Sequence, residues 1–213
     1  MLWLTTLAAL WLAAAPASPA PPATAEMAEM KRLAAGEVLI SSREVQPRAP
    51  REQIARGVID YPPERVYRAV ADYGNYDEFM PFVIQADVVK TLPDGAVLSS
   101  QRLRLPRPFG ERHYVLRVHS WIETGGPAGR TWRTEWAYVP GSGDIAGQRG
   151  SWVLTGLPPA SPGSPGRTLA TFRLFSDPGG AVPVWLYERA VADTLPYIFK
   201  GLRLHVRRSR YDS

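Results

Sequence analysis

The hydrophobic period changes twice along this chain, and few folds satisfy both changes. From Val83 to Phe175 apolar and polar residues alternate with period two, and turn residues interrupt them at Pro93-Asp94-Gly95, Thr124 to Gly129 and Pro140 to Gly143. Such a run is a meander of about five antiparallel strands. Tyr114, Leu116 and Val118 then share one face of a strand, and Trp132, Thr134, Trp136 and Tyr138 share one face of the next. GLPPASPGSPGR at 156–167 is a flexible hairpin connection. Beyond Asp177-Pro178-Gly179-Gly180 the period becomes helical, with Val184, Val191, Leu195, Ile198 and Leu202 on a common face. Pro196 lacks the N–H that would bond to the Ala192 carbonyl, so a kink or a two-part helix is expected.

Shorter elements precede the meander. Glu26 to Ala35 is a weakly amphipathic helix candidate closed by Gly36, and Glu37–Arg43 and Gln53–Asp60 read as strands. Asp60 and the prolines at 62 and 63 mark a helix start, because proline suits a first turn whose N–H groups have no helical partner. Val66, Ala69, Val70 and Tyr73 form its apolar stripe, and Gly74 ends it. Asn75 to Pro81 reads as a second short helix with Tyr76, Phe79 and Met80 on one side. The order is α+β. A curved antiparallel sheet whose concave face is covered by one long helix encloses a cavity wherever the facing side chains do not fill it.

Residues 1–25 carry no charged side chain, and Leu2 to Ala15 is apolar apart from Thr5 and Thr6. That stretch is short of the ~20 residues needed to span a bilayer, and prolines at 16, 19, 21 and 22 stop it. It reads as a signal peptide cleaved near 17 or 25, with residues 26–213 as a single domain. The protein is therefore expected to be exported, periplasmic or secreted, with no transmembrane helix in its mature form.

Composition removes several chemistries. With no Cys there is no disulfide scaffold, thiolate metal site or cysteine nucleophile. No Gly-x-Ser-x-Gly elbow is present, and Gly141-x-Gly143-x-x-x-Gly147 has the wrong spacing for a dinucleotide loop. His113, His119 and His205 are too scattered to suggest a metal site. No cofactor is expected.

ARGVIDYPPERVYRAVADYGNYDEFMP at 55–81, PRPFGERHYVLRV at 106–118 and DPGGAVPVWLYERAVADTLPYIFKGLR at 177–203 together resemble the helix-grip superfamily of polyketide cyclases and coenzyme Q-binding proteins. Within it they are most similar to the START (steroidogenic acute regulatory-related lipid-transfer) domains, and the match spans nearly all of residues 35–207. The second segment has His113 where Asp is usual. The resemblance implies a helix-grip fold that holds one lipid, sterol or other hydrophobic molecule non-covalently beneath its C-terminal helix.

The cavity wall is expected to include Tyr114, Trp132, Trp136, Trp152, Phe172, Trp185 and Ile198. Arg112 resembles a family position where a buried arginine meets an acid, with Glu111, Glu123 and Glu135 as candidates. Gly179, Gly180 and Pro183 are the expected hinge of the lid. The alternative is a cyclase or aromatase-type enzyme working in the same cavity with scattered acid–base side chains.

The net charge is +5, from 25 Lys plus Arg and 20 Asp plus Glu. Lys200, Arg203, Arg207, Arg208 and Arg210 against Asp212 place +4 of it in residues 196–213. The excess is thus a tail feature. It complements the dipole of the last helix, or docks the lid transiently on an anionic membrane through Arg203, Arg207, Arg208 and Arg210. A tail without interleaved aromatics does not suit nucleic acid. A monomer is expected.

Overall fold

The structure, a computed structural model, describes residues 22–211 apart from 48, 108, 127–128 and 180–181. Most of the expected signal peptide, and Gly180 of the expected hinge, lie outside the described residues. In chain order come α1 (Pro22–Ala34), β1 (Leu39–Arg43), β2 (Glu52–Ile59), α2 (Pro63–Val70) and a 3-10 helix over Tyr73–Glu78. The meander follows as β3 (Val83–Thr91), β4 (Val97–Arg104), β5 (Glu111–Gly126), β6 (Gly129–Tyr138), β7 (Gly147–Leu157) and β8 (Arg167–Asp177). The chain closes with α3 (Val184–His205) and a 3-10 turn over Ser209–Tyr211.

All eight strands form one open antiparallel sheet in the order β1-β2-β8-β7-β6-β5-β4-β3. The meander has six strands where the alternation suggested about five. β3 is an edge strand buried only at Val83 and Ala86, and its register slips between Val83 and Gln85 and again between Val88 and Lys90. An edge wetted on both faces and interrupted by bulges loses the period-two signal.

The apolar stripe of α2 is buried at Val66, Ala69 and Val70. The helix stops at Val70, a turn before Gly74, because Asp72 leaves helical geometry at φ −84° and ψ 61°. The Tyr76 hydroxyl donates to the Val70 carbonyl at 2.6 Å, supplying a partner that the end of the helix lacks.

α3 is one unbroken helix of 22 residues with Pro196 inside it, so the two-part alternative is not adopted. Proline costs about 3 kcal/mol within a helix. Burial of Leu195, Ile198, Phe199 and Leu202 around it offsets this, at about 1.5–3 kcal/mol for each side chain fully buried. The first turn is not covered in this way, and Val184 is exposed.

Two features fasten α3 to β2. Gly57 leaves room for the fully buried Phe199 ring, since a Cβ on residue 57 would lie 2.6 Å from Phe199 Cδ1. The Arg203 guanidinium donates to the Val58 carbonyl from Nε at 3.0 Å and Nη2 at 2.8 Å, and to the Gly36 carbonyl at 3.0 Å. Arg208 and Arg210 both pair with Glu78. Three of the four arginines offered above for membrane contact thus hold the tail onto the protein itself, while Arg207 is exposed.

Candidate functional site

The alternation on β5 builds the floor of a cavity. Arg112, Tyr114, Leu116 and Val118 face inward in sequence, and β6, β7 and β8 extend this floor through Trp136, Trp152 and Phe172. Tyr187, Val191, Thr194 and Ile198 of α3 form the roof. The cavity volume is about 390 Å³ and its lining is mainly apolar, within the range of about 300–1,000 Å³ usual for small-molecule sites. Phe82 and Tyr197 line the cavity and are also exposed, so the opening lies between α3 and the start of β3.

The aromatic wall depends on a glycine. Gly150 pairs with Trp136 across the sheet, and any Cβ at 150 would run into the Trp136 ring and the Arg173 carbonyl. Ring centroids step from Trp136 to Phe172 at 5.5 Å, from Phe172 to Trp152 at 4.7 Å, and from Trp152 to Phe199 of α3 at 5.5 Å. Sheet and helix therefore share one aromatic cluster.

Of the eight residues named from sequence, Arg112, Tyr114, Trp136, Trp152, Phe172 and Ile198 lie on this cavity. Trp132 does not. It is buried on the same face as Trp136 but pairs with Ile122, beyond the Val118–Trp136 pair where the cavity lining ends. Alternation gives the face of a strand, not how far along that face the empty space extends. Trp185 is 70% exposed on the first turn of α3, where the helix presents no buried side chain. At the hinge, Gly179 has φ +68° and donates its N–H to Asp177 Oδ1 at 2.9 Å. Pro183 caps α3.

Sequence reasoning missed Tyr187, Thr194, Phe82 and Phe109. Tyr187, Val191, Thr194 and Ile198 follow helical spacing, but a search for purely apolar stripes passes over hydroxyl-bearing residues. Phe82, at φ +66°, and Phe109 come from connections with no period to read.

Polar groups gather at the end of the cavity near Arg112. The Tyr187 hydroxyl lies 2.8 Å from Ser176 Oγ. Burial pushes its pKa up, as burial also does for Tyr114 beside Gln148. Both phenols therefore stay protonated at neutral pH. Arg112 donates from Nη1 to the Glu111 carbonyl at 2.9 Å, while its buried Nε has no partner. The acidic partner expected for it is not formed among the described residues. Glu111 pairs with Arg104 at 3.0 Å and Glu123 with Arg133 at 2.5 Å, and Glu135 lies in a shallower polar recess outside the cavity, shared with His119. Trp136 Nε1 is also buried without a partner.

At the opposite end the Tyr73 hydroxyl lies 2.5 Å from Ser120 Oγ, which lies 2.6 Å from Thr134 Oγ1. Among the described residues no His, Asp or Glu cluster is placed to hold a metal. None of the described helices is long and apolar enough to cross a membrane.

An open antiparallel sheet gripping one long helix over an apolar cavity defines the helix-grip α+β fold. Residues 59–199 match the family model described as polyketide cyclase / dehydrase and lipid transport, and the chain belongs to that family. Membership points to a hydrophobic ligand. No curated protein matches the chain.

Among solved structures, the chain is similar to a STAR-related lipid transfer protein fragment from Xanthomonas axonopodis, at 23% identity and a TM-score of 0.65 over 80% of this chain and 94% of that one. Human StAR-related lipid transfer protein 5 aligns at 16% identity and a TM-score of 0.64, over 89% of this chain and 94% of that one. A START superfamily protein from Mycobacterium smegmatis aligns at 16% identity and a TM-score of 0.55, over 73% and 96%. At these identities the likeness is one of fold.

Proposed function

We propose that this protein is a non-catalytic carrier that takes up one lipid, sterol or other hydrophobic molecule beneath α3, shields it from water and releases it elsewhere. The observation that carries this reading is the apolar cavity of about 390 Å³ closed by α3. Burial of apolar ligand surface supplies the driving force, ~25 cal/mol per Å² before the costs of ordering and opening. Uptake proceeds by movement of α3 about the segment from Gly179 to Pro183, where glycine tolerates large backbone changes. The N-terminal segment directs export. Cleavage near residue 17 leaves α1 whole, whereas cleavage near 25 removes its first turn.

The enzyme reading has less support. Tyr114 and Tyr187, with pKa values raised by burial, act as hydrogen-bond donors and not as bases at neutral pH. Asp193, the carboxylate on the lining, is bonded to Arg189 at 3.0 Å. Native mass spectrometry of the purified protein, followed by lipid extraction, tests the proposal. A stoichiometric hydrophobic ligand recovered chemically unchanged is the expected result. Refutation would be a protein that retains and accepts no hydrophobic molecule, or one that converts its ligand.

A further inference from the structure

The lining residues of β5 give the cavity a length. Arg112 and Val118 are six residues apart on one strand, which at the rise of a β-strand is about 20 Å.

The two ends differ in chemistry. At the far end, near Val118, the Tyr73 and Ser120 hydroxyls are spent on one another and on Thr134. At the near end the Arg112 charge acts on the Tyr187 hydroxyl, which lies 2.8 Å from Ser176 Oγ, and the Arg112 Nε is buried without an acceptor. The carboxylates around it are otherwise engaged, Glu111 with Arg104, Asp177 with the Gly179 N–H and Asp193 with Arg189. Every buried polar atom on the lining that lacks a partner among the described residues, Arg112 Nε and Trp136 Nε1, is a donor. A buried donor costs free energy until it meets an acceptor, and a guanidinium is best matched by an anion.

Building on the carrier reading, we infer that the ligand class is a carboxylic acid amphiphile, of which a free fatty acid is the simplest, with its carboxylate at Arg112 and its apolar part running along β5 toward Val118. The Tyr187 hydroxyl is a second donor beside the carboxylate.

The test uses the full chain after removal of co-purified lipid, titrated at pH 8 with hexadecanoate, hexadecanol and cholesterol, and read by native mass spectrometry and calorimetry. Hexadecanoate is expected to bind one to one, about tenfold or more tighter than hexadecanol, the usual worth of a hydrogen bond to a charged group. Arg112→Gln should collapse that acid-over-alcohol preference, and Arg112→Lys should keep part of it. Equal affinity for acid and alcohol, or a preference that survives Arg112→Gln, overturns the inference and leaves the carrier reading standing. So does tighter binding of cholesterol than of hexadecanoate. Failure to bind any of the three, with no hydrophobic molecule co-purified, overturns the carrier reading itself. Should Arg112→Gln not fold, the wild-type ratio and Arg112→Lys decide the matter.

Discussion

Substitution of Gly57 by Ala tests how α3 is held. The added methyl would stand 2.6 Å from Cδ1 and 2.7 Å from Cε1 of Phe199, whereas carbon atoms settle at about 3.5–4.0 Å. The ring must therefore retreat by about 1 Å. It has little space to do so, being fully buried with the Trp152 ring centroid 5.5 Å away. Overpacking of this kind costs about 1–3 kcal/mol, and at this chain length each kcal/mol lowers Tm by about 2–4 °C. Alanine is otherwise the better strand residue by about 0.5–1 kcal/mol, so net destabilisation comes from the clash alone.

Urea unfolding followed by tryptophan fluorescence measures the effect in two backgrounds. In wild type, Gly57→Ala should lower the midpoint. In Phe199→Ala, where the ring is gone, the same change should be neutral or stabilising, giving a coupling of about 1 kcal/mol or more. If Gly57→Ala costs nothing in wild type, or the same in both backgrounds, the seam between α3 and β2 is not packed as described.

Three further outcomes follow from the structure. His205 is buried, with Nε2 2.6 Å from the Tyr211 hydroxyl and Nδ1 3.7 Å from Glu78; burial lowers its pKa, Arg208 and Arg210 add to this, and Glu78 and Asp72 oppose it. A lowered folded pKa favours the neutral ring, so its contribution is complete above the ordinary value of 6.5 and is lost as pH falls below it; denaturation midpoints should drop as the pH is lowered through and below 6.5, and His205→Asn should flatten that slope. Trp136→Phe should change ligand affinity in a titration, whereas Trp132→Phe, beyond the end of the cavity, should change the unfolding midpoint without changing affinity. Trp185→Ser, at an exposed site, should leave stability within about 0.5 kcal/mol of wild type by the same unfolding assay.

Much of the cavity floor is legible in the sequence, because strand alternation is a local property. The inward row Tyr114, Leu116, Val118 and the Trp136 face follow from the pleat alone, since adjacent side chains on a strand must point to opposite sides. The edge strand β3 was the weak point, as its residues face water on both sides and its bulges break the period. The partner of Arg112 was not legible either. Glu111 is its neighbour in sequence, but on a strand neighbours face opposite ways, and Glu111 turns outward to Arg104.

The α+β order, the strand faces, the helical stripe of α3 and the concentration of basic residues in the tail all depend on spacing within a few residues and can be read along the chain. Where the space lies depends on the folded molecule. The cavity stops at Val118 and so excludes Trp132, the first turn of α3 buries no side chain and so leaves Trp185 outside, and Arg203, Arg208 and Arg210 bind back onto β2 and Glu78. Each outcome depends on which distant segment covers a given face, and that is a matter of contacts between residues far apart in the chain.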